Sequence, residues 1–325
     1  MEKKRLDYID IAKGIGILFV ICSHSRCSGL MWFGWEFCIP VFFVLSGYTY
    51  RFKDISFVNY IKAKAHRLLI PFAFTNVVLI AILALIGKLS PYHLLGPIYS
   101  RFCIYPKDHP DYVELYHRWC APTWFLTALF SAYLWIYFTK GEKRREVLCI
   151  PLFLILTYFF LPLPILLPWS IDTSFYFAAF ILAGKIIHEY DIIHKGWWLM
   201  IVFAVIYYFI MIYDGDINHS LRILGYDPSF TFIASVLGSI LIIWISSLIE
   251  KTQLNKPLSA LGRNSLLVFC FHYPFISVFN QILEHSFTVY DSPQFYFAGL
   301  FSIIVSAFIC YYLSLLLNEF VPFLR

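Results

Sequence analysis

The stretch "IAKGIGILFVICSH", residues 11–24, is apolar enough to sit in lipid, yet it holds a lysine near one end and a histidine at the other. An ionisable side chain inside a span is costly and marks a functional position by default. The stretch therefore asks two things at once: whether the chain crosses a membrane, and what Lys13 and His24 do there.

Composition answers the first. Of 325 residues, 60% are apolar and 20% aromatic against 14% charged, and mean hydropathy is +0.71, far from the usage of soluble domains. Apolar segments close to the roughly 20 residues that a spanning helix needs recur at 10–29, 33–50, 68–87, 122–139, 148–168, 173–190, 197–213, 230–249, 265–283 and 295–318. The expectation is an all-α polytopic membrane protein with about ten transmembrane helices, forming a single domain over residues 1–325. No small-residue cleavage site follows the first segment, so it reads as a span and not as a signal peptide. The prolines of "LPLPILLP", residues 161–168, predict a broken helix end after the fifth segment.

Orientation follows from lysine and arginine. With the N-terminus in the cytoplasm, Lys3, Lys4, Arg5, the basic stretch 51–67, Lys140, Lys143, Arg144, Arg145 and the 250–264 connection fall inside, as does Arg325. The other face keeps only Arg26, Lys88, Arg101, Lys107, Arg118 and Arg222. Both termini are expected in the cytoplasm. The formal charge of +5 is thus a topology signal, and no basic groove motif points to nucleic acid. The eight cysteines lack paired CxxC spacing, so no metal site is expected. Cys103 and Cys120 share the long outer segment 88–121, where a disulfide is open if that face is oxidising.

Lys13 and His24 lie eleven residues apart, close to three helical turns, which puts them on one face about 16 Å apart along the axis. Asp10 is one turn before Lys13 and placed to pair with it. Gly14 and Gly16 leave the backbone open to a ligand or another helix. A snorkelling lysine and a hydrogen-bonded interior histidine fit the same pattern. Other polar positions cluster in "IPVFFVLSGYTYRF" (39–52), ending in Ser46, Gly47 and Arg51; in the basic "YIKAKAHRLLIPF" (60–72), with Lys64 and Arg67; and in "LGRNSLLVFCFHYPF" (261–275), with Asn264, Ser265 and His272. Cationic clusters at a membrane edge serve topology, lipid headgroups or a phosphate-rich ligand.

Taken in order, "RLDYIDIAKG" with ten residues between its lysine and a histidine, then "FFVLSGY", "HRLLIP", "TWFLTALF" (123–130) and "GRNSLLVFCFHYP" resemble the acyltransferase 3 family of membrane O-acyltransferases. The likeness is to its stand-alone branch, similar to fucose 4-O-acetylases. The resemblance implies a bacterial cytoplasmic-membrane enzyme that takes an acyl group, usually acetyl, from acyl-coenzyme A inside the cell. The acceptor would be a hydroxyl of an extracytoplasmic carbohydrate such as an exopolysaccharide or O-antigen, with polysaccharide-synthesis proteins and membrane lipid as partners. It further implies His24 as general base, since a sugar hydroxyl must lose its proton as it attacks the thioester, with His272, Lys13 and Asp10 beside it. Lys13, Arg51, Lys64, Arg67, Ser46 and Gly47 become the coenzyme A candidates, and Glu36, Trp124, Asn264 and Ser265 the substrate candidates. Cys38, in "FCIPVFF", stands where relatives of that branch often carry histidine. No segment matches the hydrolase-like domain that some relatives append, so acceptor handling is expected in the bundle or in a partner. The competing class is a transporter of a lipid-linked sugar.

Overall fold

A computed structural model describes residues 6–107, 109–141, 143–287 and 292–324; Lys3, Lys4, Arg5 and Arg325, used above for orientation, lie outside the described residues. Twelve α-helices occur among the described residues: α1 (Asp7–Ser23), α2 (Pro40–Tyr48), α3 (Phe57–Leu85), α4 (Leu95–Tyr99), α5 (Trp124–Phe138), α6 (Lys143–Phe160), α7 (Ser174–Glu189), α8 (Trp197–Tyr213), α9 (Pro228–Ile249), α10 (Asn255–Arg263), α11 (Ser265–Ser286) and α12 (Pro293–Phe320). Two-residue strands β1 (Ile217–Asn218) and β2 (Ile223–Leu224) pair antiparallel in the connection before α9. The long helices start where the sequence offers caps. Asp227 accepts from the Ser229 N–H ahead of α9 and Ser292 from the Phe295 N–H ahead of α12, each followed by proline at the first helical position.

Among the described residues, five helical segments are long and apolar enough to cross a membrane: α3, α9, α11, α12, and α7 with the turn before it (Pro168–Glu189); α8 is apolar and shorter. The expected segment at 33–50 differs most, because only Pro40–Tyr48 is α-helical, with turns and a short 3-10 helix (Ser28–Met31) over residues 24–39. Gly34 disfavours helix there, and Pro40 starts α2 at its first helical position. The proline run behaves as expected: α6 stops at Phe160, and Trp169 and Ser170 take left-handed backbone angles before α7.

Burial separates the inner helices from the outer ones. Every residue of α7 from Ser174 to Gly184 is buried, as is α5 from Trp124 to Tyr133, whereas α8 buries only Met200 and Tyr207. Trp197, Phe209, Phe301 and Phe308 are exposed, an apolar surface suited to lipid. Two glycine crossings draw the inner helices together. A Cβ at Gly47 of α2 would run into the carbonyl of Ile181 on α7, and one at Gly184 into that of Val44; Gly14 and Gly262 do the same for α1 against α10. Gly14 is therefore spent on a helix, and Gly47 on packing.

Basic segments gather at the end of the bundle where α1 begins. There Lys140 pairs with Asp54, and Lys185 with Glu146. The segment 88–121 caps the other end, across the 29 residues of α3. All eight cysteines are free thiols. Cys103 and Cys120 are not joined, and burial pushes their thiols up to about 11 and about 12.

Candidate active site

α1 ends at its C-cap, His24, so this histidine sits at a helix terminus and not in mid-span. The cause is local: Ser23 and Ser25 turn their hydroxyls onto the carbonyls of Val20 and Cys22, each at 2.7 Å, and take acceptors that a further turn would use. Asn280 of α11 then holds the chain just after the imidazole. Its Nδ2 donates to the His24 carbonyl at 2.8 Å, and its Oδ1 accepts from the Arg26 N–H at 3.0 Å.

The His24 ring stacks on His272, with centroids 5.2 Å apart, and lies 4.9 Å from Tyr273. His272 is fully buried, and its Nδ1 lies 2.7 Å from the Phe269 carbonyl. A carbonyl only accepts, so the proton is assigned to Nδ1. The buried Nε2 keeps a lone pair and has no hydrogen-bond partner. Two cavities meet at His24 and Tyr273, while His272 lines neither of them. One, about 340 Å³, is lined by His24, Phe102, Glu114, Arg118, Trp124 and Tyr273. The second, about 420 Å³, is lined by His24, Lys88, His117, Arg118, Tyr273 and Asn280. Burial, with His93, Lys88 and Arg118 nearby, lowers the His117 pKa to about 4, so His117 is neutral there at pH 7.

A buried charge cluster ties together the connections around these cavities. Arg101 donates to Asp172 at 2.5 Å, to the Leu167 carbonyl at 3.1 Å and to the Ser220 carbonyl at 3.0 Å. Arg222 donates to the other Asp172 oxygen at 2.7 Å and to the Ile165 carbonyl at 2.8 Å. Both guanidinium groups thus close their donors on loop carbonyls and share one carboxylate.

A third cavity, about 190 Å³, opens at the start of α1, lined by Lys13, Ser46, Lys64, Arg67, Arg263 and Ser265. The Lys13 amine lies 3.7 Å from Asp10, the expected pairing. Lys64 sits over the ring of Tyr133, 3.4 Å from its centroid, a cation–π contact that holds the charge at the cavity wall. Beside it a larger cavity, about 680 Å³, shares Arg67 and Arg263 and adds His66, Asn264 and Asn318.

The fold therefore brings Lys13, Ser46, Lys64, Arg67 and Ser265 into one cavity, and places Trp124 with His24 in another. Asn264 lies in the neighbouring basic cavity. Lys13 and His24 do not share a cavity; the one is separated from the other at Phe269, which lines both. Gly47 faces α7, and Arg51 is exposed just beyond α2. Glu36 lines none of these cavities and instead accepts from the Tyr207 hydroxyl at 2.9 Å. Residues absent from the sequence-based set include Arg263 and Tyr273, which sit inside the quoted "LGRNSLLVFCFHYPF". Arg118, counted there only for orientation, and Asn280, two turns past His272, carried no local signal.

These features define a helical membrane protein with a basic cavity at one end, a histidine pair at the other and an aromatic ring between. The family profile described as an acyltransferase domain matches residues 6–312. The chain belongs to the acyltransferase 3 family and is a membrane acyltransferase. No curated protein matches it.

Proposed function

We propose that this acyltransferase moves an acyl group, acetyl in the first instance, from acyl-coenzyme A at the Lys13 end to a carbohydrate hydroxyl at the His24 end. The observation that carries the reading is the division of labour along α1: a cluster of cations lines one cavity, and His24, stacked on the buried His272, lines another beyond it. Lys13, Lys64, Arg67 and Arg263 suit the phosphates of coenzyme A. The basic segments gathered at one end of the bundle and the positive-inside rule support a cytoplasmic donor side and an extracytoplasmic acceptor side.

In the proposed step the acceptor oxygen attacks the thioester carbonyl and its proton passes to His24, a role that imidazole fills near neutral pH. The carbon–sulfur bond breaks, and the proton returns from His24 to the departing thiolate. Ester and free coenzyme A thiol are the products. His272 backs the His24 ring and keeps its own free Nε2 lone pair nearby.

Sealed proteoliposomes of known orientation test this. Radiolabelled acetyl-coenzyme A on the Lys13 face should acetylate fucose, or membrane glycan, present only on the other face. Product formed solely when both share one compartment sinks the two-sided scheme.

A further inference from the structure

Phe269 of α11 lines both the Lys13 cavity and the cavity of about 340 Å³ that holds Trp124 and His24. Its side chain is 4% exposed. The ring lies 5.0 Å from Phe125 of α5 and 6.3 Å from Phe42 of α2, and those two are 5.9 Å apart. One ring from each of three helices therefore closes the deep end of the basic cavity. On its far side Phe269 lies 5.8 Å from His272 and supplies the carbonyl that faces His272 Nδ1.

We propose that Phe269, with Phe42 and Phe125, is the partition that the acyl group crosses, limiting acyl-chain length and keeping water in the His24 cavity off the thioester. The inference rests on the acyl-coenzyme A reading above. A general base must lie within about 2.6–3.2 Å of the proton it takes, and the reacting atoms must come to about 3–3.5 Å. With the donor in the Lys13 cavity and His24 beyond Phe269, the reacting carbon has to reach the plane where this ring stands. An acetyl methyl asks only for displacement of one side chain on its two torsions. Each added methylene asks for room against three rings from separate helices. If water enters instead of the acceptor, its oxygen takes the acyl carbon, the carbon–sulfur bond breaks, and free acid and coenzyme A thiol result.

The experiment uses the full chain in liposomes with acetyl-, butyryl- and hexanoyl-coenzyme A and no acceptor, reading thiol release. Wild type should release thiol slowly and prefer the shorter donor by about tenfold per methylene, the lower end of pocket discrimination. Phe269→Ala should raise release several-fold and flatten that preference, Phe269→Leu should do so partly, and Phe269→Trp should lower release and sharpen the preference. Unchanged release and unchanged chain-length preference in a Phe269→Ala protein with wild-type elution overturns the proposal. A second readout needs no chemistry: Ser46→Cys, in the Lys13 cavity, is exposed to a membrane-impermeant thiol reagent from the 88–121 face. Labelling at position 46, read by mass spectrometry, should require Phe269→Ala or Phe269→Leu. Equal labelling with Phe269 intact overturns the partition. Thiol release absent from every variant, with the labelling difference kept, upholds the partition and removes acyl-coenzyme A as the donor.

Discussion

At the scale of single residues, the proposed reaction puts the chemistry on His24 and its positioning on the neighbours. His24→Ala should lower acyl transfer by about 10²–10⁴-fold, the usual loss for a general base, with expression and elution unchanged; wild-type rates in membranes would dismiss it as the base. Asn280→Ala should keep donor affinity and reduce the rate, because it frees the His24 carbonyl and the Arg26 N–H while leaving the imidazole in place. An altered donor KM with an unaltered kcat would contradict that role. Lys13→Ala should raise the donor KM, and Lys13→Arg should restore most of it, since the charge near Asp10 is kept; equal KM values in all three would make Lys13 a snorkelling residue. Lys13, Asp10 and His24 were legible because helical spacing alone relates them. Asn280, Arg118 and Phe269 were not, since they reach the site from α11 and from the 88–121 segment, and nothing local marks a contact more than 90 residues away.

Among the elements, close helix crossings hold the cavities in shape. Gly47→Ala and Gly262→Ala would each force a side chain into a carbonyl of the facing helix, a misfit expected to cost about 1–3 kcal/mol or more and visible as a lower thermal transition in detergent. Activity and transition both at wild-type values would show that the helices separate freely. Asp172→Asn strikes the other brace. It leaves Arg101 and Arg222 buried against a neutral partner, and breaking such a group costs about 3–5 kcal/mol; a transition unmoved by the change would mean that the loop carbonyls alone satisfy both guanidinium groups. The sequence showed that Ser46-Gly47 matters without showing how the two differ: the serine lines a cavity and the glycine lets α7 approach. It also made 33–50 a span, since hydropathy sees its aromatics and misses Gly34, which disfavours helix, and Pro40, which starts a helix of only nine residues.

For the whole molecule, the arrangement has a sidedness that charge counting and packing support by separate routes. Hydropathy and the lysine–arginine bias need no knowledge of contacts. The ion pairs of Lys140 with Asp54 and Lys185 with Glu146 and the crossing of α10 on the start of α1 gather the 51–56, 140–147 and 250–264 segments at one end without reference to a membrane. Single cysteines at Lys53, Lys143 and Lys251 should therefore react with an impermeant reagent from one side of sealed vesicles, and a cysteine at Lys107 from the other. The positive-inside rule makes the first side the cytoplasm. A Lys53→Cys protein labelled from the same side as Lys107→Cys would break the shared-end arrangement, whatever the reaction. Labelling that keeps the two groups apart but inverts them would leave the bundle intact and put the His24 cavities in the cytoplasm, where the donor would have to enter from outside the cell. Coenzyme A is not supplied there, so inversion would remove the two-sided acylation scheme while sparing the family assignment.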